Sequence, residues 1–397
     1  MRIAMVAGEA SGDYLGAHLI QALRERYPGV DCYGIGGPRM QTEGFRVLHQ
    51  SEHLAVRGYV EVMRALPRIL RIRRDFIRQL LAEPPTAFIG IDAPDFNLGL
   101  EHKLRRRGIT TVHYVAPQVW AWRGERVKQM RKACDLVMAL LPFEAPLLRA
   151  AQVPCEFVGH PLADEIPEHP NRPAALKQFK ILPGKQVVAL LPGSRESEVS
   201  FMSDLFVQTA KLIHAQHPNV QFLVPLVSRA TRQIFEQALY RHDALELPVT
   251  LLCGHAQMAM NAADGVLLSS GTATLEAALL KRTMVVTYKL TPTTYRMVKR
   301  RIKSMPFVSL PNILAGRHVV PEILQDDATP ENLAQAVMNQ IGDKEVRERQ
   351  EAVFQEIHQQ LKVGSSARLI EVLEPLLAKA GGKLSAVAPA AVASATV

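Results

Sequence analysis

Cysteine is scarce in this chain: Cys32, Cys134, Cys155 and Cys253 stand far apart and form no CxxC pair. That spacing argues against a disulfide framework or a structural zinc site and fits a reducing compartment. Aromatic residues make up only 6% of the chain, two of them tryptophan, which is little material for stacking nucleic-acid bases, and no nucleic-acid recognition motif occurs. No apolar run reaches the roughly 18 residues of a bilayer-spanning helix. The opening MRIAMVAGEASGD offers only about six apolar residues before Gly8, short of a signal-peptide core. A soluble or peripheral protein is therefore expected. Glycine (24) and proline (26) are near average, which excludes collagen-like, coiled-coil and mostly disordered chains.

What is present is enzyme-like. The 397 residues are 48% hydrophobic and 21% charged, enough for two or three cored domains. Lysine plus arginine (47) exceeds aspartate plus glutamate (38) by nine. Such an excess suits an anionic partner: nucleic acid, a phosphorylated substrate or an acidic membrane surface.

Short β-branched runs alternate with helical stretches. Arg2 to Val6, Asp31 to Ile35, Ala87 to Ile91, Thr110 to Val115, Leu136 to Leu140 and Glu156 to Val158 read as buried strands. A proline- and charge-rich stretch, PLADEIPEHPNRP, reads as a linker, after which strands resume at Gln186 to Leu191, Gln221 to Pro225, Val249 to Leu252, Gly265 to Leu268 and Met284 to Tyr288. The pattern predicts an α/β protein with two parallel-sheet halves, 1–165 and 166–345, followed by closing helices over 346–380 that can pack back on the first half, and a mobile tail over 381–397. Ligands of such sheets bind beyond the carboxyl ends of strands.

The candidate chemistry lies on those loops. Gly8-Glu9-Ala10-Ser11-Gly12-Asp13 follows the first strand; it lacks the GxGxxG spacing, and its small residues admit a ligand to a helix N-terminus, unless Ser11 or Asp13 is simply an N-cap. Asp92 and Asp95, in GIDAPDFN, follow another strand, where a half-buried carboxylate can take a proton from a sugar hydroxyl; the bland alternative is a turn cap. Trp120 and Trp122 in YVAPQVWAWR suit a sugar face or an apolar chain, or form core beneath a loop. In LPGSRESE, Gly193 and Ser194 offer donors and Arg195 can grip a phosphate, or pair with Glu198. In SSGTATLE, hydroxyls and amides around Gly271 and Thr272 form an anion nest, and Glu276 is placed to accept both hydroxyls of a ribose. With no P-loop lysine, two such loops in one half favour a nucleoside diphosphate. Arg57 to Leu81 interleaves Arg64, Arg68, Arg71, Arg73, Arg74 and Arg78 with Val60, Val62, Met63, Leu66, Ile69 and Leu70, a basic amphipathic helix that can lie on an anionic membrane or be a solvated surface helix. Arg296, Lys299, Arg300, Arg301 and Lys303 form a second basic cluster.

Taken in order, GEASGD, GIDAPDFN, YVAPQVWAW, LPGSRESEV, SSGTATLE and LPNILAGR closely resemble the lipid-A-disaccharide synthase family, from Met1 to about Ala380. The resemblance implies a GT-B glycosyltransferase fold, two Rossmann-like domains facing a cleft. It implies transfer of 2,3-diacylglucosamine from UDP to the 6-hydroxyl of 2,3-diacylglucosamine 1-phosphate, giving a β-1,6 disaccharide phosphate and UDP, with inversion and without metal or other cofactor. Asp92 matches the family's proposed base, with His18, Asp95, His113 and His160 as alternatives. Gly193, Ser194, Arg195, Gly271, Thr272, Glu276 and Asn312 would hold UDP. Glu9, Ser11, Asp13, Trp120 and Trp122 would contact the acceptor, and the arginine-rich helix the acceptor phosphate, acyl chains or anionic lipid. A peripheral position on the cytoplasmic face of the inner membrane follows, and a homodimer is compatible with it. Two rivals share parts of this pattern: another UDP-sugar GT-B enzyme, such as a 2-epimerase or muramyl-lipid transferase, and a non-catalytic basic membrane- or nucleic-acid-binding protein.

Overall fold

A computed structural model of the chain describes residues 1–51, 59–117, 124–290, 295–296 and 307–387. The chain divides into two units, Met1–Asp164 together with the segment from Leu361 onward, and Glu165–Gln360.

The first unit is built on strands β1 (Arg2–Ala7), β2 (Asp31–Gly36), β3 (Arg46–Gln50), β4 (Ala87–Ile91), β5 (Thr110–Tyr114), β6 (Leu136–Ala139) and β7 (Cys155–Phe157). They form one parallel sheet in the order 3-2-1-4-5-6-7. Alternation decides which layer each side chain joins. Ile3, Met5 and Ala7 enter one core with Ala87, Ile89 and Ile91, while Ala4, Val6 and Phe88 enter the core on the opposite face. Both faces are covered, which is why the central strands read as unbroken apolar runs. The Ser365–Val387 helix supplies Leu369, Leu373 and Leu377, four residues apart on one stripe, to the first of these cores.

The second unit repeats the plan with β8 (Gln186–Leu191), β9 (Val220–Leu226), β10 (Val249–Cys253), β11 (Gly265–Ser269), β12 (Thr283–Tyr288) and β13 (Glu322–Leu324), parallel and ordered 10-9-8-11-12-13. The order reverses on either side of β1 and of β8, the topological switch points beside which ligands of such sheets bind.

Each strand expected from the sequence is present, within a residue or two. Two further strands lie at sheet edges: β3 is half-exposed and β13 is only three residues long, so neither carries an apolar run. The second unit continues past 345 to Gln360, because the Lys344–Leu361 helix is tied into it: Gln350 accepts from the Thr283 hydroxyl at 2.6 Å and donates to the Val319 carbonyl at 2.9 Å. The final helix runs on to Val387, across Gly381-Gly382 and through the start of the expected tail; residues 388–397 lie outside the described residues.

At the end of β6, Glu144 opens a short helix and is 2% exposed. Its Oε2 accepts from the Leu141 N–H at 3.0 Å. Burial outweighs that bond and pushes the carboxyl up to about 8. The folded chain favours the neutral acid, so the stability it contributes is fully present below the ordinary glutamate range and is lost as pH rises through about 8. Glu144→Gln should flatten that alkaline loss. Thermal melting followed by tryptophan fluorescence, both tryptophans belonging to the first unit, checks this; identical pH slopes in the two proteins would sink it.

Candidate functional site

In the first unit the carboxyl end of β4 carries two successive residues with unusual backbone. Asp92 and Ala93 follow one another with φ of 51° and 43°, both left-handed and neither glycine, a conformation costing about 1–3 kcal/mol per residue unless its surroundings enforce it. They do. The Asp92 N–H donates to the Tyr114 carbonyl at 2.8 Å, and the Asp92 carbonyl accepts from Asn97 Nδ2 at 2.8 Å. Ala93 then caps the Pro94–Arg105 helix, with Phe96 and Asn97 N–H groups both donating to its carbonyl at 3.0 Å. The turn directly follows the last residue of β4 and places the half-buried Asp92 at the carboxyl end of the sheet, where ligands of such sheets bind.

The alternatives to Asp92 are engaged as follows. His113 is fully buried, its Nδ1 2.8 Å from Glu101 Oε1. Asp95 is exposed and ion-paired with Arg126 at 3.0 Å. His160 is buried, and desolvation together with nearby His18 pushes its pKa down to about 4. His18 Nε2 lies 3.0 Å from the Ser366 hydroxyl.

On the first loop, Glu9 takes an extended N-cap conformation without a side-chain cap bond and, like Ser11, is half-buried. Asp13 is buried: its Oδ1 accepts from Gly37 and Met40 N–H at 2.9 and 3.1 Å, and its Oδ2 from Arg39 N–H at 3.0 Å. It anchors the start of the Pro38–Thr42 helix, a role nearer the capping alternative than the sugar contact. Trp120 and Trp122 fall outside the described residues.

The arginine-rich segment forms the Tyr59–Ala82 helix. Phe76 and Leu80 enter the core, whereas Leu66 and Leu70, one turn apart, are 38% and 51% exposed beside exposed Arg68 and Arg71; Ile69 is half-buried. Val60, Val62, Met63 and Arg64 lie on this helix, but their side chains are outside the described residues, as are Arg57 and most of the second basic cluster. Among the described residues no helix is long and apolar enough to cross a membrane.

In the second unit, loops after β8 and β11 come together, with the Ser269 hydroxyl at the end of β11 donating to the Pro192 carbonyl at 2.8 Å. Gly193 and Gly271 have φ of 148° and 157°, values that an L side chain rarely adopts. Arg195 caps the Glu196–Gln216 helix, and its Nη1 lies 2.5 Å from Glu198 Oε1, while Glu198 Oε2 accepts from the exposed Ser194's N–H at 3.2 Å. Thr272 is exposed and Glu276, one turn on, is half-buried. Asn312 is fully buried with its amide fully used: Oδ1 accepts from Val319 and Val320 N–H, and Nδ2 donates to the Val320 carbonyl and to Glu322. It shapes the loop and has no hydrogen-bonding capacity left for a ligand.

Asn97 and Glu322, to which sequence reasoning gave no role, prove central, as does Glu198, the alternative partner it gave Arg195. Asn97 holds the Asp92 turn, and Glu198 fixes Arg195. Glu322 accepts from Val308 and Ser309 N–H, the Ser309 hydroxyl and Asn312. That brings the 308–312 segment alongside the β11 loop, where the Ser270 hydroxyl donates to the Val308 carbonyl at 2.8 Å. An acidic residue inside the apolar run VVPEIL was the available signal. Among the described residues, Glu101, His113 and Cys134 lie close enough together to hold a cation, but their donor atoms already bond one another.

Comparison with known proteins places these features. The family profile described as Lipid-A-disaccharide synthetase matches residues 3–372. A lipid-A-disaccharide synthase of Chromobacterium violaceum is 54% identical over 93% of this chain and 95% of its own length. That of Methylobacillus flagellatus is 49% identical over 91% and 95%. Among solved structures, UDP-GlcNAc 2-epimerase of Neisseria meningitidis bound to UDP-GlcNAc aligns with a TM-score of 0.63 at 11% identity, covering 95% of this chain and all of its own. MurG of Acinetobacter baumannii aligns with a TM-score of 0.55 at 16% identity, covering 94% and 99%. Those likenesses give the fold, GT-B with two Rossmann-like domains; the sequence relatives discriminate between the enzymes that share it, and on them the chain belongs to the lipid-A-disaccharide synthase family.

Proposed function

We propose that the chain carries out its family's transfer with Asp92 as the general base. The 6-hydroxyl of 2,3-diacylglucosamine 1-phosphate gives its proton to the Asp92 carboxylate as its oxygen attacks C1 of the UDP-linked 2,3-diacylglucosamine. The C1–phosphate bond breaks and UDP departs with the electron pair. An α-linked donor and a β product require one inversion, hence one displacement and one base. The observation that carries this reading is the enforced left-handed turn, which fixes Asp92 by backbone bonds on both sides while leaving its carboxylate half-buried at a strand end.

The second unit supplies the leaving-group side. Arg195, oriented by Glu198, would neutralise charge developing on the diphosphate, with the Gly193, Ser194, Gly271 and Thr272 loops close to the phosphates and Glu276 on the ribose. Asn312 acts through the loop it shapes. On the acceptor side we assign Glu9, Ser11, Trp120 and Trp122 to the sugar, and Asp13 to fixing the neighbouring backbone. The Tyr59–Ala82 helix would rest on the anionic cytoplasmic leaflet through Leu66, Leu70 and its arginines.

The direct test follows UDP release and the disaccharide phosphate by mass spectrometry; UDP binding without product would retain the nucleotide assignment and discard the lipid substrates. Asp92→Asn should lower kcat at least about a hundredfold while leaving UDP affinity unchanged, and near-normal turnover would remove Asp92 from the mechanism. Arg195→Ala should instead weaken UDP binding, read by calorimetry; an unchanged Kd would refute that contact. Replacing Leu66 and Leu70 together with aspartate should reduce retention on anionic vesicles without altering UDP binding, and full retention would rule out this face as the membrane contact.

A further inference from the structure

The Asp92 turn rests on a buried polar network that the reaction itself does not require. Gly90, two residues before Asp92, has no side chain, and the reason is steric. A Cβ there would lie 2.1 Å from Glu101 Oε1 and 2.9 Å from Asn97 Cβ. Asn97 and Glu101 are four residues apart on the Pro94–Arg105 helix, hence on one face; with Gly90 bare, that face settles directly onto β4.

Glu101 is fully buried, so its carboxylate has to be partnered within the protein. Oε1 meets His113 Nδ1 at 2.8 Å, and Oε2 accepts from the Cys134 thiol at 3.3 Å. Burial and the adjacent Glu101 push that thiol well above its ordinary pKa, which keeps it a donor. His113 is the register partner of Gly90 on β5, and the next residue, Tyr114, provides the carbonyl that receives the Asp92 N–H. From the other side, Asn97 Nδ2 reaches the Asp92 carbonyl at 2.8 Å, with longer contacts of 3.4 and 3.5 Å to the Val6 and Ile91 carbonyls. β5 and the helix thus grip Asp92 at its N–H and its carbonyl, and the Glu101–His113 contact locks β5 to that helix.

We propose that Asn97, Glu101 and His113 are positioning residues that hold Asp92 in its left-handed conformation and so aim its carboxylate. The inference rests on Asp92 being the base. None of the three touches substrate; each acts through Asp92.

The experiment is a set of double-mutant cycles on the full-length chain. Asn97→Ala removes the grip on the Asp92 carbonyl. Glu101→Gln keeps side-chain shape and an acceptor for His113 while removing the charge. Each is made alone and combined with Asp92→Asn, and kcat, KM for both substrates, UDP affinity and thermal melting are measured. Each single variant should lose about ten- to a hundredfold in kcat, the scale of a misplaced catalytic group, with KM for the UDP donor and UDP affinity unchanged. In the Asp92→Asn background the further loss should stay within about twofold, because groups acting through one residue are non-additive. A further loss of the full size, or a single variant with normal kcat, overturns the positioning role while Asp92→Asn remains impaired. Should Asp92→Asn itself turn over normally, the base assignment fails, and the positioning role with it. If Asn97→Ala gives no cooperative melting transition, Glu101→Gln carries the same test.

Discussion

Two consecutive residues held against their backbone preference are the constraint around which the first unit is organised. L-residues adopt the left-handed region at a cost of about 1–3 kcal/mol each, and Asp92 and Ala93 adopt it together. The offsetting interactions come from three directions: β5 through Tyr114, the helix through Asn97, and β4 through the absence of a side chain at Gly90. That convergence explains why the motif GIDAPDFN must be read as one object. Its glycine, aspartate and asparagine are the close-approach point, the presented carboxylate and the tether of a single strand-to-helix transition.

The second unit solves a comparable problem by other means. Its two candidate loops place glycine, Gly193 and Gly271, where φ is positive, so the backbone there needs less enforcement; what requires holding is charge and segment placement. Glu198 and Glu322 do that. Both accept backbone N–H groups as well as side-chain donors, and a carboxylate shared among several donors fixes their relative positions better than any one bond. An acidic residue beside a proposed phosphate site looks unfavourable when judged by charge alone. Here Glu198 is bound to Arg195 and to the Ser194 amide, and it orients the groups proposed for the anion.

Much of this was legible in the sequence because parallel sheets bury both faces. A strand such as Ile3–Ala7 has to be apolar throughout and announces itself, and the loop after it is then the place to look. β3 and β13, at sheet edges, lacked that pressure and went unseen. Sites were legible as loops rather than as roles. Asp13 and Asn312 stand in loops that resemble binding segments, yet their hydrogen bonds are spent on the protein's own groups. Which way a polar side chain turns depends on partners distant in the chain, Gly37 and Met40 for one, Val320 and Glu322 for the other, and no local pattern encodes them.

The buried pair of Glu101 and His113 shows the same limit from the opposite side. Read alone, a histidine on a strand before a proposed ligand loop is a fair catalytic alternative, and a glutamate midway along a helix is a solvated one. Brought together with Cys134 in a fully buried pocket, each loses its apparent role. Hydrophobic residues of the same volume would fill that space at less desolvation cost, so stability alone gives little reason for a polar pair beneath β4. The pair defines a distance and a direction between β5 and the helix that an apolar contact would leave slack, and it does so one register position from the strand end where Asp92 begins its turn.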